Sequence, residues 1–210
     1  MTDGTISSFR KRRGRILAQK IKSLAQDLGR SITVLDVGGR RDYWDNIGFE
    51  GIGSITLLNI DPADLGRTTA RQDIFTDQIG DARQLDQIAA QSFDLYHSNS
   101  VIEHVGGWAD MKAMADTARR VAHHGWVQTP AWEFPIEPHF RLPFMHWFGT
   151  PVRTSLLALA KGYRGQDRAS RRLHAERINL LTKGEVSLLF PACTVTVERV
   201  IVAKSYVVTW

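Results

Sequence analysis

Three apolar runs, each closed by a polar or glycine turn, organise the first half of the chain. Ile32, Val34, Leu35 and Val37 form the first run. It lacks strict alternation, as expected of a strand buried on both faces. Gly38 and Gly39 end it with a sharp turn that lets a ligand come close to the backbone. The second run, Ile55 to Ile60, ends in Asp61, and Pro62 then stops the strand because it has no N–H to donate. The third, Phe93 to Tyr96, leads into a polar turn at Ser98, Asn99 and Ser100 and then a helix. Ahead of all three, Leu17, Ile21, Leu24 and Leu28 recur at helical spacing. They predict an amphipathic helix within residues 1–29, stopped by Gly29.

Parallel strands of this kind leave their carboxyl ends open to a ligand. The side chains placed there form one ordered series. Asp36 sits just before the first turn and can accept from a cationic group. Asp61 follows the second strand, where a carboxylate can take two hydrogen bonds from a ribose diol. Asp81 and Ala82 follow a short linker, and Ser98, Glu103 and His104 follow the third run. The pattern points to a nucleotide-like cofactor. The dinucleotide fingerprint of dehydrogenases is missing, because Gly38 is followed by Gly39, Arg40 and Arg41. No tyrosine followed four residues later by lysine offers a proton relay either.

In these segments the chain resembles the class I S-adenosylmethionine-dependent methyltransferases, over about residues 30 to 208. VLDVGG is similar to their first motif, D-x-G-x-G, with Arg40 in place of the second glycine. Asp61 matches the acid that binds the cofactor ribose, and GDA, with Asp81 and Ala82, matches the segment lining the adenine. FDLYHSNSVIEHV matches the fourth strand and its turn, and LLTKGEVSLLFPACTVTVERV the last helix and strand pair. The resemblance implies S-adenosylmethionine as cofactor, with Asp36, Gly38, Gly39, Asp61, Asp81, Ala82 and Ser98 around it. It implies a Rossmann-like, seven-stranded, mostly parallel sheet with helices on both faces. A bacterial enzyme of the small-molecule or glycan type is the subtype it suggests.

Residues 126–151 break the α/β rhythm with seven aromatic side chains and five prolines. Proline excludes regular helix from such a stretch. An aromatic, proline-rich insertion over 128–165, after the fifth strand, is therefore expected as a substrate lid within a single domain of 1–210; the competing reading is a patch on an exposed core edge.

Methyl transfer to oxygen needs a general base near neutral pKa. His104, beside the cofactor, and His139, in the loop, are the candidates, with Glu103 as the carboxylate that orients an imidazole. VIEHV also resembles the E-x-x-E-H metal segment of some quinone and small-RNA methyltransferases. Its first acid is replaced by Ser100, so no metal is expected.

Composition narrows the setting. The 210 residues and 43% hydrophobic content suffice for one large α/β core. The single cysteine, Cys193, fits a reducing compartment, and no apolar run of 18 residues occurs. The N-terminus has basic residues but no apolar stretch of a signal peptide, so a cytoplasmic protein is expected. Charge is uneven: residues 1–30 carry eight Lys/Arg against two acids, and 151–177 carry seven against two. These segments suit peripheral contact with an anionic membrane surface. They also keep RNA methylation open as an alternative, although no RNA-binding module is present. A non-catalytic cofactor-binding protein of the same fold is the third reading, because of Arg40. The acceptor expected first is a small molecule or saccharide methylated at oxygen; the oligomeric state is left open.

Overall fold

The computed structural model describes residues 8–62, 70–136, 142–160 and 162–210. Helix α1 (Ser8–Leu28) precedes strand β1 (Ile32–Val37), helix α2 (Arg41–Ile47), strands β2 (Ile52–Asn59), β3 (Phe75–Ile79) and β4 (Phe93–Asn99), helix α3 (Trp108–Val121) and strand β5 (Ala122–Pro130). Helices α4 (Thr150–Leu156), α5 (Arg168–Glu176) and α6 (Lys183–Leu189) follow, then strands β6 (Thr194–Arg199) and β7 (Ala203–Thr209). The strands form one seven-stranded sheet in the order β3-β2-β1-β4-β5-β7-β6. β1 pairs in parallel with both β2 and β4, β2 pairs in parallel with β3, and β6 and β7 are antiparallel. This is the Rossmann-like arrangement expected. The chain falls into two compact units: residues up to Asn99 with 117–127 and Trp210, and residues 100–116 with 128–209.

In the first unit, α1 buries Leu17 and Ile21, as its periodicity predicts, and leaves Arg10, Lys11, Arg12 and Arg15 exposed. Gly14 sits where a Cβ would come within 2.9 Å of Ile47, so glycine lets α1 lie close on α2. Gly29 ends the helix at φ +64°, with Gly29 N–H donating to Gln26 O and Arg30 N–H to Ala25 O, a Schellman pair. β1 and β4 are buried along almost their whole length, which explains why neither alternates strictly between apolar and polar residues. The sheet order turns back at β1, because β2 and β3 lie on one side of it and β4 on the other. Such a reversal opens a crevice at the carboxyl ends of β1 and β4.

The start of β4 is held from below. Arg30 forms two hydrogen bonds to Asp94, at 2.8 and 2.7 Å, and Thr33 N–H donates to the same carboxylate at 2.8 Å. The Arg30 guanidinium, with Thr33, holds the Asp94 carboxyl at about 2. A depressed carboxylate stabilises the fold above its unfolded pKa and loses that contribution as pH falls through the folded value. The contribution of Asp94 is therefore complete above about pH 4 and disappears between about pH 4 and 2. It is worth about 2 kcal/mol. Urea midpoints at pH 7 and pH 3 should differ less in Asp94→Asn than in wild type; an equal difference would mean that Asp94 is not the group responsible.

The second unit has its own core of Met145, Leu157, Ala160, Ala175 and Ile178, to which α4 and α5 contribute. Residues 128–165 are thus partly helical: a 3-10 turn at Met145–Trp147 and then α4, with Pro151 in its first turn. Thr182 and Glu185 form a capping box that starts α6. The Tyr206 hydroxyl donates to Glu133, tying β7 to the segment after β5.

Candidate active site

The cofactor candidates lie within the first unit, at the carboxyl ends of β1 to β4. Gly38 takes φ +67° and its N–H donates to Leu58 O at 2.8 Å, which fixes the turn against β2. Asn59 Nδ2 donates to Gly39 O at 2.9 Å. Asp61 is exposed two residues past the end of β2. Asp81, after β3, takes hydrogen bonds from the backbone and guanidinium of Arg83, which hold its carboxyl below the usual range. Ala82 is buried, and its carbonyl accepts from Thr117 Oγ1 at 2.7 Å. Arg40 has extended backbone at the start of α2 and an outward ion pair with Asp42 at 3.0 Å. The side chain in the position of the missing glycine is thus engaged away from the turn.

Beneath the turn lies a buried network. Asp36 has no exposed surface and accepts from Trp44 Nε1 at 2.7 Å and from His97 Nδ1 at 2.6 Å. Its partners are an indole and an imidazole held under the turn. Gly39 has a different reason to be glycine than ligand approach: a Cβ there would stand 1.7 Å from Asp36 Oδ2. The His97 ring is flanked by Tyr43 and Trp44 at centroid distances of 5.2 and 5.1 Å.

His97 was not legible as a site residue, because a histidine inside an apolar run carries no motif of its own. Its register was the available signal, since it lies directly across from Asp36. The same pairing explains why β4 continues to Asn99 rather than ending at Tyr96, where polar residues begin. His97 and Ser98 are both buried, so polarity did not mark a turn. His97 Nε2, Ser98 Oγ and Asn99 Oδ1 are buried without a hydrogen-bond partner. Orphaned polar atoms grouped at the end of one strand fit a polar ligand.

Glu103 and His104 belong to the second unit, in a 3-10 turn at Ile102–His104. Ser100, at φ +58°, begins this segment, and its N–H and hydroxyl both bond Gln128, at 2.9 and 3.0 Å. Glu103 is fully buried and accepts from Thr129 Oγ1 at 2.9 Å. Its carbonyl accepts from Asn179 N–H at 2.9 Å. His104 is exposed. His139 lies outside the described residues. Among the described residues, no group of three His, Cys, Asp or Glu side chains gathers at metal-binding spacing, and no helix is long and apolar enough to cross a membrane.

Residues 35–127 match the family model of the methyltransferase domain. Three solved structures illustrate the likeness of fold. One is the N-methyltransferase NodS from Bradyrhizobium japonicum WM9, at 12% identity and TM-score 0.53, with 93% of each chain covered. Another is magnesium protoporphyrin IX methyltransferase, ChlM, from Synechocystis PCC 6803 with bound SAH, at 12% identity and TM-score 0.50, covering 99% of this chain and 89% of that one. A third, described as a putative Zn-dependent alcohol dehydrogenase from Rhodobacter sphaeroides, has 13% identity and TM-score 0.60, covering 98% and 90%. By sequence, no curated protein matches the chain. The family match thus marks residues 35–127, which carry the turn and strands of the first unit, as similar to a methyltransferase domain, and the seven-stranded sheet is the fold shared with these solved structures.

Proposed function

We propose that the protein methylates a small molecule or saccharide at oxygen, with His104 as general base and Glu103 as the carboxylate that fixes its segment. The observation that carries this reading is the contrast within one short turn: Glu103 is fully buried and anchored to Thr129, whereas His104 beside it is exposed. A rigid carboxylate inside and a reachable imidazole outside suit removal of a proton from a hydroxyl. His139, in the aromatic segment, is the second candidate base, and 128–165 the candidate lid.

The bound sulfonium supplies an electrophilic methyl carbon. The protein's own part is alignment and exclusion of water. Asp61 would hold the ribose, Asp81 and Ala82 the adenine, and Gly38, Gly39 and Ser98 the amino-acid end. Asp36 acts beneath them by holding Trp44 and His97.

The test is transfer of labelled methyl from S-adenosylmethionine to a panel of saccharides and small hydroxyl compounds. With an accepted substrate, His104→Ala should lower kcat by about 10²–10⁴-fold while cofactor affinity stays unchanged. Unchanged kcat would remove His104 from the mechanism. The basic end of α1 favours RNA as a second reading. Methylation of RNA but of no small molecule in the panel would establish it instead.

A further inference from the structure

Within the second unit, a cavity of about 280 Å³ opens between α3, the segment after β5, α4 and the start of α6. Its size is near the low end of the roughly 300–1,000 Å³ common for small-molecule pockets. Trp108, Met111, Trp132 and His146 give it aromatic and apolar walls, and Arg153 and Glu185 bring charge to it.

The two charges are not equivalent. Glu185 is occupied by its own helix start, taking hydrogen bonds from Thr182 N–H at 2.8 Å and Thr182 Oγ1 at 2.7 Å. Arg153 has far less. It donates to Thr150 Oγ1 at 3.1 Å and weakly to Ile178 O at 3.4 Å, and its Nε is buried with no partner. A guanidinium has five donors. Burial and the neighbouring Arg172 both push its pKa down, only partly opposed by Glu176. Arg172 is itself paired with Glu176, at 2.6 Å. A partly desolvated cation with unmet donors is costly unless an anion meets it.

The cavity also adjoins the segment that carries Glu103 and His104. Gly107 and Trp108 line it three and four residues after His104. Asn179, which also lines it, donates from its backbone to Glu103 O and from its side chain to Gly106 O, both at 2.9 Å.

We propose that this cavity binds a small organic anion, a carboxylate or phosphate carried on a planar ring, with Arg153 as its charge anchor and Trp132 as part of its wall. Its role as the acceptor pocket rests on the methyl-transfer reading above; the binding of the anion does not. Guanidinium suits both anions because its fork matches two oxygens at once.

The experiment is calorimetric titration of the full chain, without cofactor, with benzoate, phenyl phosphate and benzyl alcohol. Benzoate or phenyl phosphate should bind at least tenfold more tightly than benzyl alcohol, and the tighter of the two identifies the anion. Arg153→Gln should remove that tenfold preference, and Arg153→Lys should restore part of it. Trp132→Ala should weaken all three probes. Wild type alone decides the question should Arg153→Gln fail to fold: equal affinity for the acid and the alcohol, or no binding of any probe, overturns the proposal. A parallel titration with S-adenosylhomocysteine reads the cofactor site separately, so failure of the anion site is distinguishable from failure of the methyl-transfer reading.

Discussion

Replacing Asp36 with alanine should destabilise the protein by about 3–5 kcal/mol, read as a fall in the urea midpoint. The carboxylate is fully buried and serves two donors, Trp44 Nε1 and His97 Nδ1, on different elements. Without it both donors stay buried and unmet, at about 1–3 kcal/mol each. The turn above would lose its support as well, so cofactor affinity should fall together with stability. A companion variant sharpens the test. Gly39→Ala places a Cβ 1.7 Å from Asp36 Oδ2 and should be comparably damaging. Once Asp36 is alanine that clash is gone, so the second change should cost much less in the double variant than alone. Additive costs would show that Gly39 is glycine for some other reason, such as close approach of the cofactor.

Asp61→Ala should act in the opposite way, on binding and not on folding. Asp61 is exposed and lies past the end of β2, so its loss should move stability by no more than about 0.5 kcal/mol. A carboxylate holding a ribose diol makes two charge-assisted hydrogen bonds, each worth about 1.5–3 kcal/mol. Loss of both should weaken S-adenosylmethionine by about 100-fold or more. Asp61→Asn keeps one acceptor oxygen and should fall between. A wild-type affinity in Asp61→Ala would take the ribose off this residue and move it to another group at the strand ends.

The architecture was legible in the sequence because its signals are local and redundant. An apolar run without alternation marks β1, and helical spacing marks α1 with Gly29 as its stop. The placement of Gly38, Asp61, Asp81 and Ala82 just past strand ends, and of Asp36 near the end of β1, was legible for the same reason. The use made of Asp36 was not. Its partners, Trp44 and His97, are 8 and 61 residues away, and only the register of β1 on β4 brings His97 opposite it. The end of β4 was misplaced for a related reason: a polar residue in a buried strand looks like a turn until its partner is known. The aromatic segment after β5 showed where regular helix would fail but not where it would resume. Pro151 suits the first turn of α4, and burial of Leu157 and Ala160 follows from packing with α5, which no local pattern announces.

A cofactor site at the carboxyl ends of β1 to β4 stands or falls with calorimetry of S-adenosylmethionine on wild type and Asp61→Ala side by side. Wild type should show one site per chain, lost or weakened about 100-fold in a variant that unfolds at the wild-type urea concentration. No heat of binding to wild type at millimolar ligand would contradict it.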